Sequence, residues 1–116
     1  MNEIEKFRNE RERLNTLIMK HSGTNTKRFF AIDSAVYRDG SLDSRTKEMM
    51  GLAASAVMRC DHCIEYHIMQ CIELGVSGEE FTEIFDIALI AGGSITIPHI
   101  RKAYDILEKS GVLNNQ

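Results

Sequence analysis

The sequence has no tryptophan, a single proline and only three cysteines. One proline excludes a polyproline or proline-rich disordered module. No run approaches the ~20 consecutive apolar residues that a membrane-spanning helix needs, so no membrane role is expected. The opening MNEIEKFRNERERLN lacks the apolar core of a signal peptide, and a cytoplasmic location is the expectation. Positive charge is not in excess: 14 basic and 17 acidic side chains leave a formal net charge of −3. Such a chain has no general attraction for phosphate backbones, which argues against nucleic acid as a partner. No alternating strand of useful length is present. Ile95-Thr96-Ile97-Pro98-His99-Ile100 comes nearest to one, and Pro98 weakens it.

What the sequence does have is helical periodicity. Its 116 residues, 43% of them apolar, suit one domain spanning residues 1–116 with a core of its own. Ile4, Phe7, Leu14 and Ile18 recur at helical spacing. After a break at residues 22–26, a short helix is expected around Phe29, Phe30, Ile32, Ala35 and Val36, ending at Asp39-Gly40. A third helix should start after Asp43 or Ser44 and run to Met58, with Gly51, Ala53, Ala54, Ser55 and Ala56 allowing another helix close approach. Arg59-Cys60-Asp61-His62 reads as a polar break, followed by a helix from Cys63 to Leu74 that stops at Gly75. Ser77-Gly78-Glu79-Glu80 has capping-box spacing and opens a helix that Gly92-Gly93 closes. A last helix spans about Ser94 to Lys109. Met49, Met50, Met58 and Met69, at helical spacing, are read as core. The fold class is therefore all-α, with five or six helices.

The chemistry concentrates in Cys60-Asp61-His62-Cys63-Ile64-Glu65-Tyr66-His67. The three cysteines, Cys60, Cys63 and Cys71, lie close together and are odd in number, unlike the disulfide framework of a secreted fold. His67 follows Cys63 by four residues, so on a helix the two are stacked one turn apart. Cys60 and Cys63 are near enough for a disulfide if Cys60 sits at the helix start. A thiol there feels the positive end of the helix dipole and ionises more readily. An imidazole nearby can take its proton. Together these point to dithiol–disulfide exchange, or to peroxide reduction that ends in an internal disulfide.

Other readings compete. Cys60, Cys63 and His67 could ligate a metal with Cys71, His62 or His99 as a fourth ligand, but structural zinc sites usually draw on two separated pairs. Covalent haem attachment needs a histidine directly after the second cysteine, and residue 64 is Ile. Cys71 reads as a buried small hydrophobe rather than a third redox thiol. His21 reads as a helix-end cation, and His99 as a packing residue. For Glu48, the bland reading is a solvated carboxylate favouring a helix start.

Residues from about Leu42 to Lys109 resemble the carboxymuconolactone decarboxylase family, in particular its branch related to alkylhydroperoxidase D. The residues that carry the resemblance are Glu48, Cys60, His62, Cys63 and His67, followed by Leu74-Gly75-Val76-Ser77 and Gly92-Gly93. The resemblance implies an all-helical bundle that assembles, commonly as trimers or hexamers. It implies a relay in which Glu48 orients and polarises His67, His67 deprotonates Cys63, Cys60 pairs with Cys63 in a disulfide, and His62 assists. It further implies a thiol-dependent peroxidase or disulfide reductase, acting on a hydroperoxide or a protein disulfide, reset by a dithiol, with no organic cofactor. Family decarboxylases generally lack the cysteine pair. The alternatives are a redox- or metal-responsive assembly module without enzymatic activity, and a lactone decarboxylase in which Arg59 and Arg101 would be available for an anion.

Overall fold

The computed structural model describes residues 2–115. Among them are six α-helices, two short 3-10 turns and no strand. The segment with a strand-like pattern is helical: Ser94–Thr96 forms a 3-10 turn and Ile97 opens the last helix. Pro98 sits in that first turn, where its missing N–H costs nothing. The chain divides into two compact units, the first ending at Ser44 and the second starting at Arg45.

The first unit holds α1 (Glu3–His21) and α2 (Thr24–Val36). Asn2 caps α1, its side-chain oxygen accepting the Glu5 N–H at 2.8 Å. Glu3 and Glu5 lie in the first turn of α1, and Lys20 and His21 in the last, all complementing the helix dipole. The break between the helices is tighter than the composition suggests. Only Ser22 and Gly23 separate them, because Thr24 and Asn25 already belong to α2. Neither helix contains a buried residue.

The second unit contains the core. It is built by α3 (Ser44–Val57), α4 (Asp61–Glu73), α5 (Gly78–Gly92) and α6 (Ile97–Ser110). Leu52 and Ala56 of α3, Ile64 and Ile68 of α4, Phe81 and Phe85 of α5, and Ala103 and Leu107 of α6 are essentially inaccessible to solvent. Burial of each large apolar side chain contributes about 1.5–3 kcal/mol before its entropy cost. The methionines divide: Met69 is buried and Met49 packs against the core, whereas Met50 and Met58 are exposed. Helical spacing alone did not separate these two groups, because Met50 and Met58 lie away from the face that carries Leu52 and Ala56.

Two local devices fix the helices around the site. The Ser77 hydroxyl accepts the Glu80 N–H while the Glu80 carboxylate accepts the Ser77 N–H, a complete capping box at the start of α5. The same Glu80 oxygen accepts from the Arg45 guanidinium at the start of α3. This bond, then the one to the Ser77 backbone, pulls the Glu80 pKa down to about 2. At the far end of α5, Gly92 has no room for a side chain, since a Cβ there would stand 2.5 Å from the buried Thr96 methyl.

Candidate active site

Chain geometry places both paired cysteines at one helix end. Among the described residues, positive φ occurs at the glycines Gly75, Gly93 and Gly111 and at Arg59, with φ at +60°. It closes α3, its N–H meeting the Ala56 carbonyl at 3.1 Å and the next N–H, of Cys60, meeting that of Ser55 at 3.1 Å. The polar break is thus shorter than its composition implies. Asp61 and His62 already belong to α4, and Cys60 is its N-cap. A cysteine can occupy that position because its sulfur accepts the Cys63 N–H at 3.3 Å. Cys60 and Cys63 are joined in a disulfide, with Cα atoms 5.3 Å apart. Cys63 is exposed and Cys60 half-buried.

One turn further along α4, the face turns inward. His67 is 8% exposed, and its ring meets that of Tyr66 edge-on at 5.2 Å. Glu48 of α3 is 2% exposed, so it is not a solvated first-turn carboxylate. Its Oε1 lies 3.4 Å from His67 Nδ1, within ion-pair reach but longer than a tight hydrogen bond. Glu48 Oε2 has no hydrogen-bond partner among the described residues, which leaves a carboxylate acceptor open inside the protein. The fold therefore brings Glu48 to His67, and helix geometry stacks His67 under Cys63. His62 lies on the exposed side of the same helix start.

Cys71 stands one turn beyond His67 and is fully buried. Burial, and after it the nearby Glu48 charge, push its thiol up to about 12. It is a free thiol with no thiolate character near neutrality. His21 is exposed in the last turn of α1. No group of three His, Cys, Asp or Glu residues among those described is arranged to hold a metal ion.

A contact invisible in the sequence lies beside the disulfide. Asp61, the first residue of α4, takes His99 Nδ1 on Oδ1 at 2.7 Å and Lys102 Nζ on Oδ2 at 2.8 Å. Both partners come from α6, about 40 residues away. The only hint in the sequence was that His99 and Lys102, three apart, share one helix face.

The sequence pattern of the family described as carboxymuconolactone decarboxylase matches residues 25–106. The chain belongs to the carboxymuconolactone decarboxylase family. The match begins at residue 25, well before Leu42, where the resemblance is expected to begin, and so takes in nearly all of α2. Two crystal structures from Thermotoga maritima are similar over almost the whole chain. One is 51% identical with a TM-score of 0.90, covering 96% of this chain and 97% of its own. The other is 52% identical with a TM-score of 0.88, covering 95% and 93%. The second is described as a member of this same family, and its description raises involvement in an antioxidative response as a possibility. A family member from Legionella pneumophila, 24% identical with a TM-score of 0.77 over 95% of this chain and 96% of its own, shares the fold. An uncharacterized protein of the cox locus in Paracoccus denitrificans is 31% identical over 81 residues, 70% of this chain and 73% of its own length. No helix of this family member, among the described residues, is long and apolar enough to cross a membrane.

Proposed function

We propose that this chain is a thiol-dependent peroxidase or disulfide reductase with Cys63 as nucleophile. The observation that carries the reading is the buried Glu48–His67 pair one helical turn beneath an exposed Cys63. An isolated buried carboxylate is costly, and an imidazole beside it offsets that cost. Glu48 orients His67, and His67 takes the Cys63 proton. The Cys63 thiolate attacks a hydroperoxide, breaking the O–O bond. An alcohol leaves and a sulfenic acid stays on Cys63. The Cys60 thiol displaces water from that sulfur and forms the disulfide. An external dithiol then reduces the disulfide and leaves oxidised itself, restoring both thiols. With a protein disulfide as oxidant, the thiolate attacks sulfur instead and the same internal disulfide closes. His62, exposed at the same helix start, assists as a proton donor near the sulfurs. The antioxidative description of the Thermotoga maritima relative fits this chemistry.

Assembly belongs to the same reading. The first unit exposes Leu14, Leu17, Phe29, Ile32 and Val36, an apolar surface of the kind covered when copies associate as trimers or hexamers. The direct test is peroxide consumption with a dithiol donor. Cys63→Ser and Cys60→Ser should each stop turnover. If both retain the wild-type rate, the proposed mechanism is wrong.

A further inference from the structure

We infer that Asp61, His99 and Lys102 form a charge-balancing cluster that sets how readily the Cys60–Cys63 pair ionises and reduces, with His99 and Lys102 as positioning residues. The inference rests on the thiol reading above, but it concerns the pair's own chemistry rather than its substrate.

The argument starts from a conflict at the start of α4. The helix dipole there favours a thiolate on the paired cysteines. Asp61 lies between them in the sequence, in the same first turn. Its carboxylate gains from that dipole, yet a full negative charge in the same turn as the two cysteines opposes a second one. Left bare, Asp61 would cancel the field that the helix end provides. It is not bare: each oxygen has its own nitrogen from α6, His99 Nδ1 at 2.7 Å and Lys102 Nζ at 2.8 Å. The bond to Lys102, then the one to His99, holds the Asp61 carboxyl below the usual carboxylate range. The cluster also ties the start of α4 to α6, so the segment whose disulfide opens and closes is anchored on its charged side. His99 is only 23% exposed in its side chain and Asp61 36%, which limits solvent screening of their bond. Lys102 is 66% exposed, so its share is the more salt-sensitive.

A charge role and a purely structural tie predict different signs. Removing the Lys102 cation and the His99 hydrogen bond with His99→Gln plus Lys102→Met strips Asp61 of its partners and should disfavour the thiolate. Asp61→Asn removes the anion, leaves the Lys102 cation, and should favour it. The measurement uses the full chain reduced with a dithiol. The pH profile of iodoacetamide alkylation is followed at Cys60 and Cys63 separately by mass spectrometry. Circular dichroism and thermal unfolding serve as the check on folding. The midpoint should move up in the double variant and down in Asp61→Asn, each changing the thiolate fraction at neutral pH by about three- to tenfold. In a glutathione redox buffer above the thiol midpoint, the disulfide fraction should rise in the first and fall in the second. Lys102→Met alone, at an exposed position, should give a smaller shift of the same sign as the double variant, reduced further by added salt. Midpoints that move in the same direction in both variants, or that stay at the wild-type value in folded protein, overturn the inference. Opposite shifts in a chain that consumes no peroxide would sink the peroxidase reading and leave this one standing.

Discussion

The two ends of α4 carry the same residue type with opposite chemistry. At the start, Cys60 and Cys63 are at least partly open to solvent and joined to each other at a helix end, where Asp61 meets His99 and Lys102. Two turns on, Cys71 is sealed in the core and its thiol is pushed up to about 12. The difference is one of environment alone: field and water at one end, desolvation at the other. His67 stands between them and faces the interior, where Glu48 waits. A single helix thus separates a solvent-open sulfur from a sealed one by little more than ten ångströms of rise.

The strongest way to break this comparison is to exchange the exposed sulfur of Cys63 for oxygen. Cys63→Ser should reduce dithiol-dependent peroxide turnover on the order of 1,000-fold or more, as loss of a nucleophile does; the assay is peroxide consumption. Next comes the carboxylate that links the two ends. Glu48→Gln keeps the volume and removes the charge. It should slow iodoacetamide alkylation of reduced Cys63 by about 100-fold near neutrality while leaving the helical circular dichroism intact. Unchanged alkylation across the pH range would disconnect Glu48 from the sulfur.

At the sealed end the expected effects are on stability. Cys71→Ala should cost about 1 kcal/mol in urea unfolding, by the small cavity it leaves, and should not alter turnover. In native protein, Cys71 should resist alkylation where the reduced pair reacts. Its folded pKa lies above that of a free thiol, so the stability it contributes is complete below about pH 9 and fades as pH climbs toward about 12. Behind that end, Glu80 titrates with the opposite sign. Its pKa falls from 4.5 to about 2, so its contribution is present above pH 4.5 and lost as pH drops toward 2. Glu80→Gln should flatten the acid limb of the stability profile in that window. The smallest effect is expected at Arg59. Arg59→Gly relieves a left-handed backbone and should leave stability unchanged or raise it by up to about 1 kcal/mol. A large loss would mean that the arginine side chain makes a contact worth more than its strain.

Much of the local structure was legible because it is written in short-range chemistry. The Ser77–Glu80 capping box and the glycine stop at 75 mark helix ends through the groups they satisfy or the backbone they permit, and the structure has them there. The boundaries that slipped did so for local reasons of a subtler kind. Cys60 caps α4 through its sulfur, a role that reading for serine, threonine or aspartate does not anticipate. Met50 and Met58 share helical spacing with buried methionines yet face solvent, since periodicity gives a face without saying which neighbour covers it.

The sequence by itself determined the helical class and the run of cysteine and histidine residues along one helix, because caps, periodicity and a four-residue spacing act over a turn or two of chain. It could place Glu48 in the argument only through resemblance. That its carboxylate is buried against His67, that Asp61 meets a histidine and a lysine from α6, and that one of three cysteines is sealed from solvent were decided by tertiary packing. Charge and desolvation depend on distance through space, and no spacing along the chain encodes a contact between helices that only the core brings together.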